Sequence, residues 1–148
     1  MQITDYNGQC FCGAIGFTFS TAVPPPDWSV RTCQCRFCRA HDAVSTSDPT
    51  GRLEFHAAKP EHLQRFRFAM KTADFLICRN CGVYIGAMIE TASGAFGIIN
   101  THALETTPED IAAVQPISYG KEDKSGRVAR REERWTPVGS VTADSRDD

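Results

Sequence analysis

Short segments in which hydrophobic and polar residues alternate recur along the chain, and this alternation is typical of strands with one buried face. The clearest segment is 14–20, AIGFTFS, in which Ile15, Phe17 and Phe19 fall on one face. The same alternation, or a short apolar run, predicts four further strands at 53–55, 66–68, 83–89 and 95–99. We therefore expect a mainly β fold.

One short helix is predicted after the last of these strands. Thr107 can cap it, Pro108 suits the first helical position, and residues 110–114 continue it until Pro116. The later segment 120–134 carries charges of both signs. We interpret that segment as a solvated loop or surface helix rather than as a binding patch.

The length of 148 residues fits a single domain. We expect that domain to span residues 1–138 and the polar residues 139–148 to form a disordered tail. The formal net charge of -2 does not indicate nucleic acid or an anionic membrane surface as a partner. No apolar run approaches the roughly 20 residues of a transmembrane helix. Residues 1–10 also lack the pattern of a signal peptide, so the expected location is the cytoplasm.

The seven cysteines fall into three groups with short spacings, and none is left over. The groups are C-x-C at Cys10 and Cys12, C-x-C-x-x-C at Cys33, Cys35 and Cys38, and C-x-x-C at Cys78 and Cys81. An odd number of cysteines cannot be fully paired as disulfides, and disulfides do not persist in a reducing compartment. The spacings therefore indicate metal ligands.

Zinc prefers four ligands in a tetrahedron, with zinc–sulfur distances of about 2.3 Å. A C-x-x-C turn brings both thiolates to one side, and Gly82 can supply the positive φ that such a turn needs. More than one partition of the seven ligands is possible. We favour a closed, structural site that joins two distant segments, made by Cys10, Cys12, Cys78 and Cys81. The remaining three then form a local site with an open fourth position, which is a mark of catalysis: Cys33, Cys35 and Cys38.

A zinc ion held by three thiolates is a weaker Lewis acid than one held by neutral ligands, because the thiolates leave the site formally negative. Such a site favours chemistry on a substrate sulfur over the activation of water. We therefore predict that a small-molecule thiol binds at the three-cysteine site and adds to a small aldehyde. Cleavage of the resulting sulfur–carbon adduct would use the same contacts.

Candidate substrate contacts flank Cys38. Arg36 and Arg39 can hold a substrate carboxylate through paired hydrogen bonds, or they are ordinary surface arginines. His41 is a candidate fourth zinc ligand, a substrate contact or proton carrier, or an exposed side chain without a role. Trp28 is expected in the wall of the same cleft.

Three motifs taken together, GQCFCGA, CQCRFC and CRNCG, resemble those of the glutathione-dependent formaldehyde-activating enzyme (Gfa) family, also called the CENP-V/Gfa domain. The similarity spans residues 8 to about 100, with a weaker similarity at Trp135. It implies a Mss4-like β-tent with short helices, a structural zinc at the four-cysteine set, and a second zinc at the three-cysteine set. Glutathione or its adduct binds at that second zinc in the family. The implied reaction joins glutathione and formaldehyde, formally a carbon–sulfur lyase reaction run in reverse.

The chain departs from the family pattern between the three cysteines. Gln34, Arg36 and Phe37 stand where relatives usually have histidine, serine or other small residues, so the loop that would line the substrate site is unusual. One alternative function is a non-catalytic zinc-binding interaction module, because the Mss4-like fold also hosts proteins that are not enzymes. Another is a thiol redox protein that uses Cys35 and Cys38.

Overall fold

The structure, a computed structural model, describes residues 2–68 and 70–141. This part of the chain contains strands β1 (Thr4–Gln9), β2 (Ile15–Thr21), β3 (Arg31–Cys33), β4 (Ser45–Thr46), β5 (Arg52–Ala57), β6 (Leu63–Phe66), β7 (Asp74–Cys78), β8 (Tyr84–Thr91), β9 (Gly94–Asn100), β10 (Gln115–Ile117) and β11 (Thr136–Val141). It also contains helices α1 (Arg36–His41) and α2 (Lys124–Arg134), and 3₁₀ turns at Pro25–Asp27, Pro60–His62 and Thr101–Ala103. The expected mainly β fold with short helices is confirmed. Within the described ranges, no helix combines the length and apolar character needed to cross a membrane.

The first wing of the sheet has the strand order β1-β2-β5-β11. Strand β2 lies antiparallel to both β1 and β5, whereas β11 joins β5 in parallel. The alternation predicted for β2 is present, since Ile15, Phe17 and Phe19 are each at most 2% exposed. On the opposite face, the Thr18 hydroxyl donates to the Asn7 side chain at 2.9 Å. The apolar face of β2 therefore points into the core and its polar face towards solvent.

The second wing consists of the antiparallel strands β6-β7-β8-β9, with β4, β3 and β10 continuing from the other edge of β9. Strand β10 pairs with β3 in parallel. Strand β11 also pairs with β9, in antiparallel orientation, so this one strand joins the two wings.

The hydrophobic core lies between the two wings. Leu53 and Phe55 of β5 are at most 2% exposed and face β9 and β8 of the second wing. A Cβ atom at Gly97 would lie 2.9 Å from Leu53, and one at Gly86 would collide with the carbonyl oxygen of Ile98. These glycines therefore allow the strands to approach more closely than any other residue would permit.

The helix predicted at 110–114 is wrong. Residues 111–114 have no regular secondary structure, and the Ile111 amide closes a single turn onto the Pro108 carbonyl at 3.3 Å. The Ala112 amide instead donates to Pro25 at 3.0 Å. Pro108 and Pro116 limit any helix here to about two turns, which has little stability of its own, so contacts with the rest of the fold decide the conformation.

The mixed-charge segment does contain a surface helix, α2, which begins after the N-cap Asp123, whose carboxylate accepts a hydrogen bond from the Gly126 amide at 2.7 Å. It is not fully solvated, because Arg131 is only 7% exposed. Strand β11 extends to Val141, so the first three residues of the predicted tail belong to a strand that pairs with β5. The rest of the predicted tail, 142–148, lies outside the described residues.

Candidate functional site

The four-cysteine cluster joins a turn of the first wing to a turn of the second. Cys10 and Cys12 lie in the turn between β1 and β2, whereas Cys78 ends β7 and Cys81 lies in the turn before β8. The four Sγ atoms all lie within 4.8 Å of one another. The Cys12 Sγ atom is 3.7 Å from that of Cys10 and 3.6 Å from that of Cys78.

Backbone geometry in the two turns orients these thiols. Gly82 has a φ of 83° and its amide donates to the Cys78 carbonyl at 2.8 Å, which closes the C-x-x-C turn as its sequence indicated. The amides of Ile15 and Cys81 point at the Sγ atoms of Cys10 and Cys78, at 3.5 and 3.4 Å. Amides directed at sulfur stabilise thiolates, and they are the usual surroundings of cysteine ligands in metal sites.

The thiols of this cluster do not titrate independently. A hydrogen bond from the Asn80 side chain, followed by one from the Ala14 backbone, lowers the pKa of the Cys12 thiol to about 6. Burial raises the pKa of Cys78 to about 12. Cys12 therefore favours the thiolate form, whereas the buried Cys78 favours the thiol. Several thiolates in contact repel one another, so a cation among them is needed for all four to be charged.

The three-cysteine cluster is local in the sequence. Cys33 ends β3, Cys35 is the N-cap of α1 and Cys38 lies within that helix. Their Sγ atoms also lie within 4.8 Å of one another. The Cys35 amide points at Cys33 Sγ at 3.5 Å, and the Cys38 amide at Cys35 Sγ at 3.4 Å. The short β3–α1 connection is thus sufficient to bring the three sulfurs together.

The charges within this cluster are unequal. A hydrogen bond from the Cys38 thiol lowers the pKa of Cys33 to about 5, and the guanidinium of Arg130 contributes in the same direction. The pKa of Cys38 is raised strongly, first by the hydrogen bond that it donates to Cys33 and then by burial. Without a cation the three sulfurs share protons, so a bound cation is needed for all three to be thiolates.

The other predicted site residues lie outside this cluster. His41 is exposed, and its Nδ1 atom lies 3.0 Å from the Phe37 carbonyl. Within the described part of the chain, no His, Asp or Glu completes the three-cysteine cluster as a fourth ligand. A cavity opens beside the three-cysteine cluster. Arg36 and Arg39 are exposed on α1 and do not line this cavity, so their contact with substrate stays a prediction.

Trp28 does not line the cavity either, which corrects the expectation that it forms a wall. It is 6% exposed and donates from its indole nitrogen to the Val23 carbonyl at 2.9 Å. Its ring packs edge-on against Tyr6 and Phe19 in the core. A large aromatic side chain is stabilised more by such burial than by exposure in a cleft.

A cavity of about 390 Å³ opens beside the three-cysteine cluster and falls within the usual size range of small-molecule sites. All three cysteines of the cluster line it. A second part of the wall is apolar and consists of Phe68, Met70, Phe75, Ile98 and Trp135. A third part is cationic and consists of Arg31, Arg127, Arg130 and Arg131.

Three of these arginines come from α2, in the segment that the sequence led us to interpret as having no binding role. The helix forms one wall of the cavity, so the interpretation that this segment has no binding role is wrong. A signal was present in the sequence: Arg127, Arg130 and Arg131 have i, i+3 and i+4 spacing, which places them on one face of a helix, and Trp135 continues that face.

The donor sets of both clusters fit zinc. A zinc–sulfur distance of about 2.3 Å places the sulfurs of a tetrahedral site about 3.8 Å apart. The separations of 3.6 and 3.7 Å in the four-cysteine cluster agree with that spacing. Thiolate sulfur is also a donor that zinc accepts readily, and the three-cysteine cluster supplies three such donors.

Comparison with known proteins identifies relatives of the chain. A family model described as glutathione-dependent formaldehyde-activating enzyme matches residues 5–121. A crystal structure of a Rhodobacter sphaeroides protein is similar to this fold, with a TM-score of 0.57 and 26% sequence identity; the match covers 75% of this chain and 99% of the other. The comparison with curated proteins gave no match. The family match ends before α2, so this helix and its arginines lie outside the matched region.

Proposed function

Because the chain belongs to the glutathione-dependent formaldehyde-activating enzyme family, we propose that it is a zinc-dependent enzyme that joins a thiol to a small aldehyde. In this reaction a bond forms between the thiol sulfur and the carbonyl carbon. The electron pair of the carbonyl π bond moves to oxygen, and the thiol proton ends on that oxygen. Nothing is oxidised or reduced, and the reverse reaction is a carbon–sulfur lyase reaction. Glutathione and formaldehyde are the first pair to test.

The proposal rests mainly on one observation: the first cluster has a full set of four zinc ligands, and the second has three. Four sulfurs form one cluster, which is a full ligand set for zinc. Three sulfurs form the other, and they line a cavity large enough for a small molecule. We assign a structural zinc to Cys10, Cys12, Cys78 and Cys81, and a second zinc with an exchangeable position to Cys33, Cys35 and Cys38.

When bound at the three cysteines, zinc would supply a cation that lowers the pKa of a substrate thiol and holds its sulfur in place. The chain's own residues supply the rest of the site. The apolar wall excludes water, which strengthens the electrostatic interactions inside the cavity. The arginines of α2 orient a ligand that carries an acidic group. All seven cysteines are free, which suits a reducing compartment, and we propose the cytoplasm.

Metal analysis and cobalt substitution test this proposal. We expect two zinc ions per chain in the purified protein. After exchange for Co²⁺, glutathione should change the absorption spectrum of about half of the metal, whereas S-methylglutathione, which has no free thiol, should not. Formaldehyde consumption is then compared with the uncatalysed rate in the presence of the wild-type protein and of Cys38→Ser.

Two outcomes would contradict the enzyme proposal. If the spectrum does not respond to glutathione or to any other thiol, the second metal is closed and the interaction module becomes the better interpretation. If thiols bind but adduct formation never exceeds the uncatalysed rate, the protein is a thiol-binding protein rather than an enzyme for this reaction. Mild oxidation that links Cys35 to Cys38 with no metal present would instead support the redox alternative.

A further inference from the structure

Arg131 is a buried cation that lines the cavity. It is 7% exposed, and burial lowers the pKa of its guanidinium to about 10. Its Nη1 atom donates to the Thr72 hydroxyl at 2.6 Å, and the guanidinium lies 4.8 Å from the ring centre of Trp135. Its Nε atom has no hydrogen-bond partner, and no carboxylate among the described residues forms an ion pair with it. A buried charge in this condition is costly unless a ligand supplies the missing anion.

Arg130, the preceding residue of α2, differs from Arg131 because its guanidinium is paired with a carboxylate. Its Nε and Nη2 atoms donate to both carboxylate oxygens of Glu122, at 2.7 and 3.0 Å. Arg127 shares that carboxylate only at 3.5 Å, and its buried Nε atom has no hydrogen-bond partner. One glutamate therefore contacts two arginines directly, and it reaches Arg131 only as a more distant charge.

The charge balance of the cavity wall is positive. Four arginines line the cavity, and no aspartate or glutamate is among its described lining residues. Glu122 and the negative charge of a zinc bound by three thiolates offset only part of this positive charge. An anionic ligand is therefore attracted into the cavity, and a neutral or cationic one is not.

The aromatic and aliphatic part of the wall favours a ligand with an apolar body. Polar side chains line the cavity as well: Gln34, Ser45, Thr72, Ser118 and Tyr119. Phe68, Phe75 and Trp135 present aromatic rings, and Met70 and Ile98 add aliphatic surface. The peptide groups of a ligand such as glutathione would lose hydrogen bonds with water against this surface. An aryl or alkyl group instead gains from leaving water.

We propose that the preferred substrate is an acidic thiol with an apolar body, whose carboxylate pairs with Arg131 and Arg127 while its aryl or alkyl part lies against Phe68, Phe75 and Trp135. The position of the thiol at the three cysteines rests on the proposed function. The recognition of the carboxylate and of the apolar body does not, because it depends only on side chains of this chain. Since α2 lies beyond the family match at 5–121, the recognition of the carboxylate depends on a segment outside the matched region.

Calorimetric titration of the zinc-loaded protein with a matched pair of probes tests the proposal. The probes are 4-(mercaptomethyl)benzoate and 4-(mercaptomethyl)benzamide, which differ in charge but hardly in size. We expect the benzoate to bind at least about tenfold more tightly than the benzamide, the ratio that a charge-assisted hydrogen-bonded pair typically supplies. We also expect it to bind more tightly than glutathione. Equal affinity of the benzoate and benzamide, or preference for glutathione, would overturn the proposal.

Variants of the α2 arginines test whether these side chains bind the carboxylate. Arg131→Met should remove most of the preference for the benzoate while lowering benzamide affinity much less, and its melting temperature should stay the same or rise because an unpaired buried charge is lost. Arg52→Gln is the matched control, since Arg52 is an exposed arginine paired with Glu54 and does not line the cavity. If Arg131→Met does not fold, Arg127→Gln should lower the same preference. A preference unchanged in the folded α2 variants would exclude these arginines as the carboxylate site.

A probe without sulfur separates this proposal from the proposed function. 4-Methylbenzoate has the acidic group and the apolar body but cannot bind zinc through a thiol. We expect it to bind weakly, and to lose that binding in Arg131→Met. If 4-methylbenzoate binds in this way but no thiol reaches the metal, the inference about the cavity holds and the proposed enzymatic reaction fails.

Discussion

The two cysteine clusters use the same donor atom and similar sulfur separations, yet they connect very different lengths of chain. Cys12 and Cys78 are 66 positions apart, and their cluster links the β1–β2 turn to the β7–β8 turn. Cys33, Cys35 and Cys38 belong to one short connection. A metal that closes a long loop restricts the unfolded chain strongly, whereas a metal in a short loop restricts it little. The first arrangement suits stability, and the second leaves its metal available to a ligand.

The largest expected effect follows from breaking the long-range cluster. Cys81→Ser removes one ligand from a site whose zinc supplies on the order of 10 kcal/mol of apparent free energy. Because whole domains are stable by only about 5–15 kcal/mol, we expect this variant to be largely unfolded or insoluble. Circular dichroism and zinc per chain provide the measurement. A soluble, folded variant that has lost this metal would show that the site is not structural.

A smaller loss of stability is expected from the local cluster. Cys38→Ser should retain about one zinc per chain, lose thiol binding, and lower the melting temperature by several degrees rather than abolish folding. Thermal unfolding together with metal analysis checks each part. If the variant unfolds as completely as Cys81→Ser, the second site is structural as well. The enzyme proposal would then lose its main physical support.

A third prediction concerns the phenylalanines between the cysteines. Phe37, between Cys35 and Cys38, packs against Phe68 and Phe75 with ring centres 4.8 Å from each. Phe37→Ala should cost about 2 kcal/mol of unfolding free energy, less than for a fully buried ring because Phe37 is only partly buried. Urea denaturation measures the change.

The matched control is the phenylalanine between the cysteines of the other cluster. Its replacement is expected to change the stability least. Phe11, between Cys10 and Cys12, is 88% exposed. Phe11→Ala should therefore change stability by less than about 0.5 kcal/mol, as surface substitutions usually do. A larger loss in Phe11→Ala than in Phe37→Ala would mean that the burial of these two rings has been assigned the wrong way round.

The parts of this molecule that were predictable from sequence depend on local patterns. The alternation of Ile15, Phe17 and Phe19 reports a buried strand face without any knowledge of what covers it. The cysteine spacings indicated metal sites for the same reason, since two- and three-residue separations fix where neighbouring thiols point. The expected grouping of the four distant cysteines is the one that the structure brings together, although the spacings alone allowed other partitions.

The cavity wall could not be predicted in the same way. Arg131 lies almost a hundred positions after Cys33, and only the packing of α2 brings both to one cavity. The sequence suggested Arg36 and Arg39, which flank Cys38. Both are exposed on α1 and outside the cavity wall, and their contact with substrate stays a prediction. Nearness in sequence is a poor guide to a site whose walls come from different elements. The helix predicted near Pro108 failed for a related reason, since tertiary hydrogen bonds outweighed a local capping signal.

The position of β11 between the two wings also affects how the protein is made on the ribosome. This strand is synthesised after the ten others described here, and both β5 and β9 pair with it. Until it emerges, β5 has an edge without its parallel neighbour, and such edges attract other chains. Translation at about 5–20 residues per second means that the growing polypeptide spends several seconds with β5 and β9 formed but lacking the strand that pairs with both. We therefore expect nascent chains to be exposed to aggregation through this edge of β5.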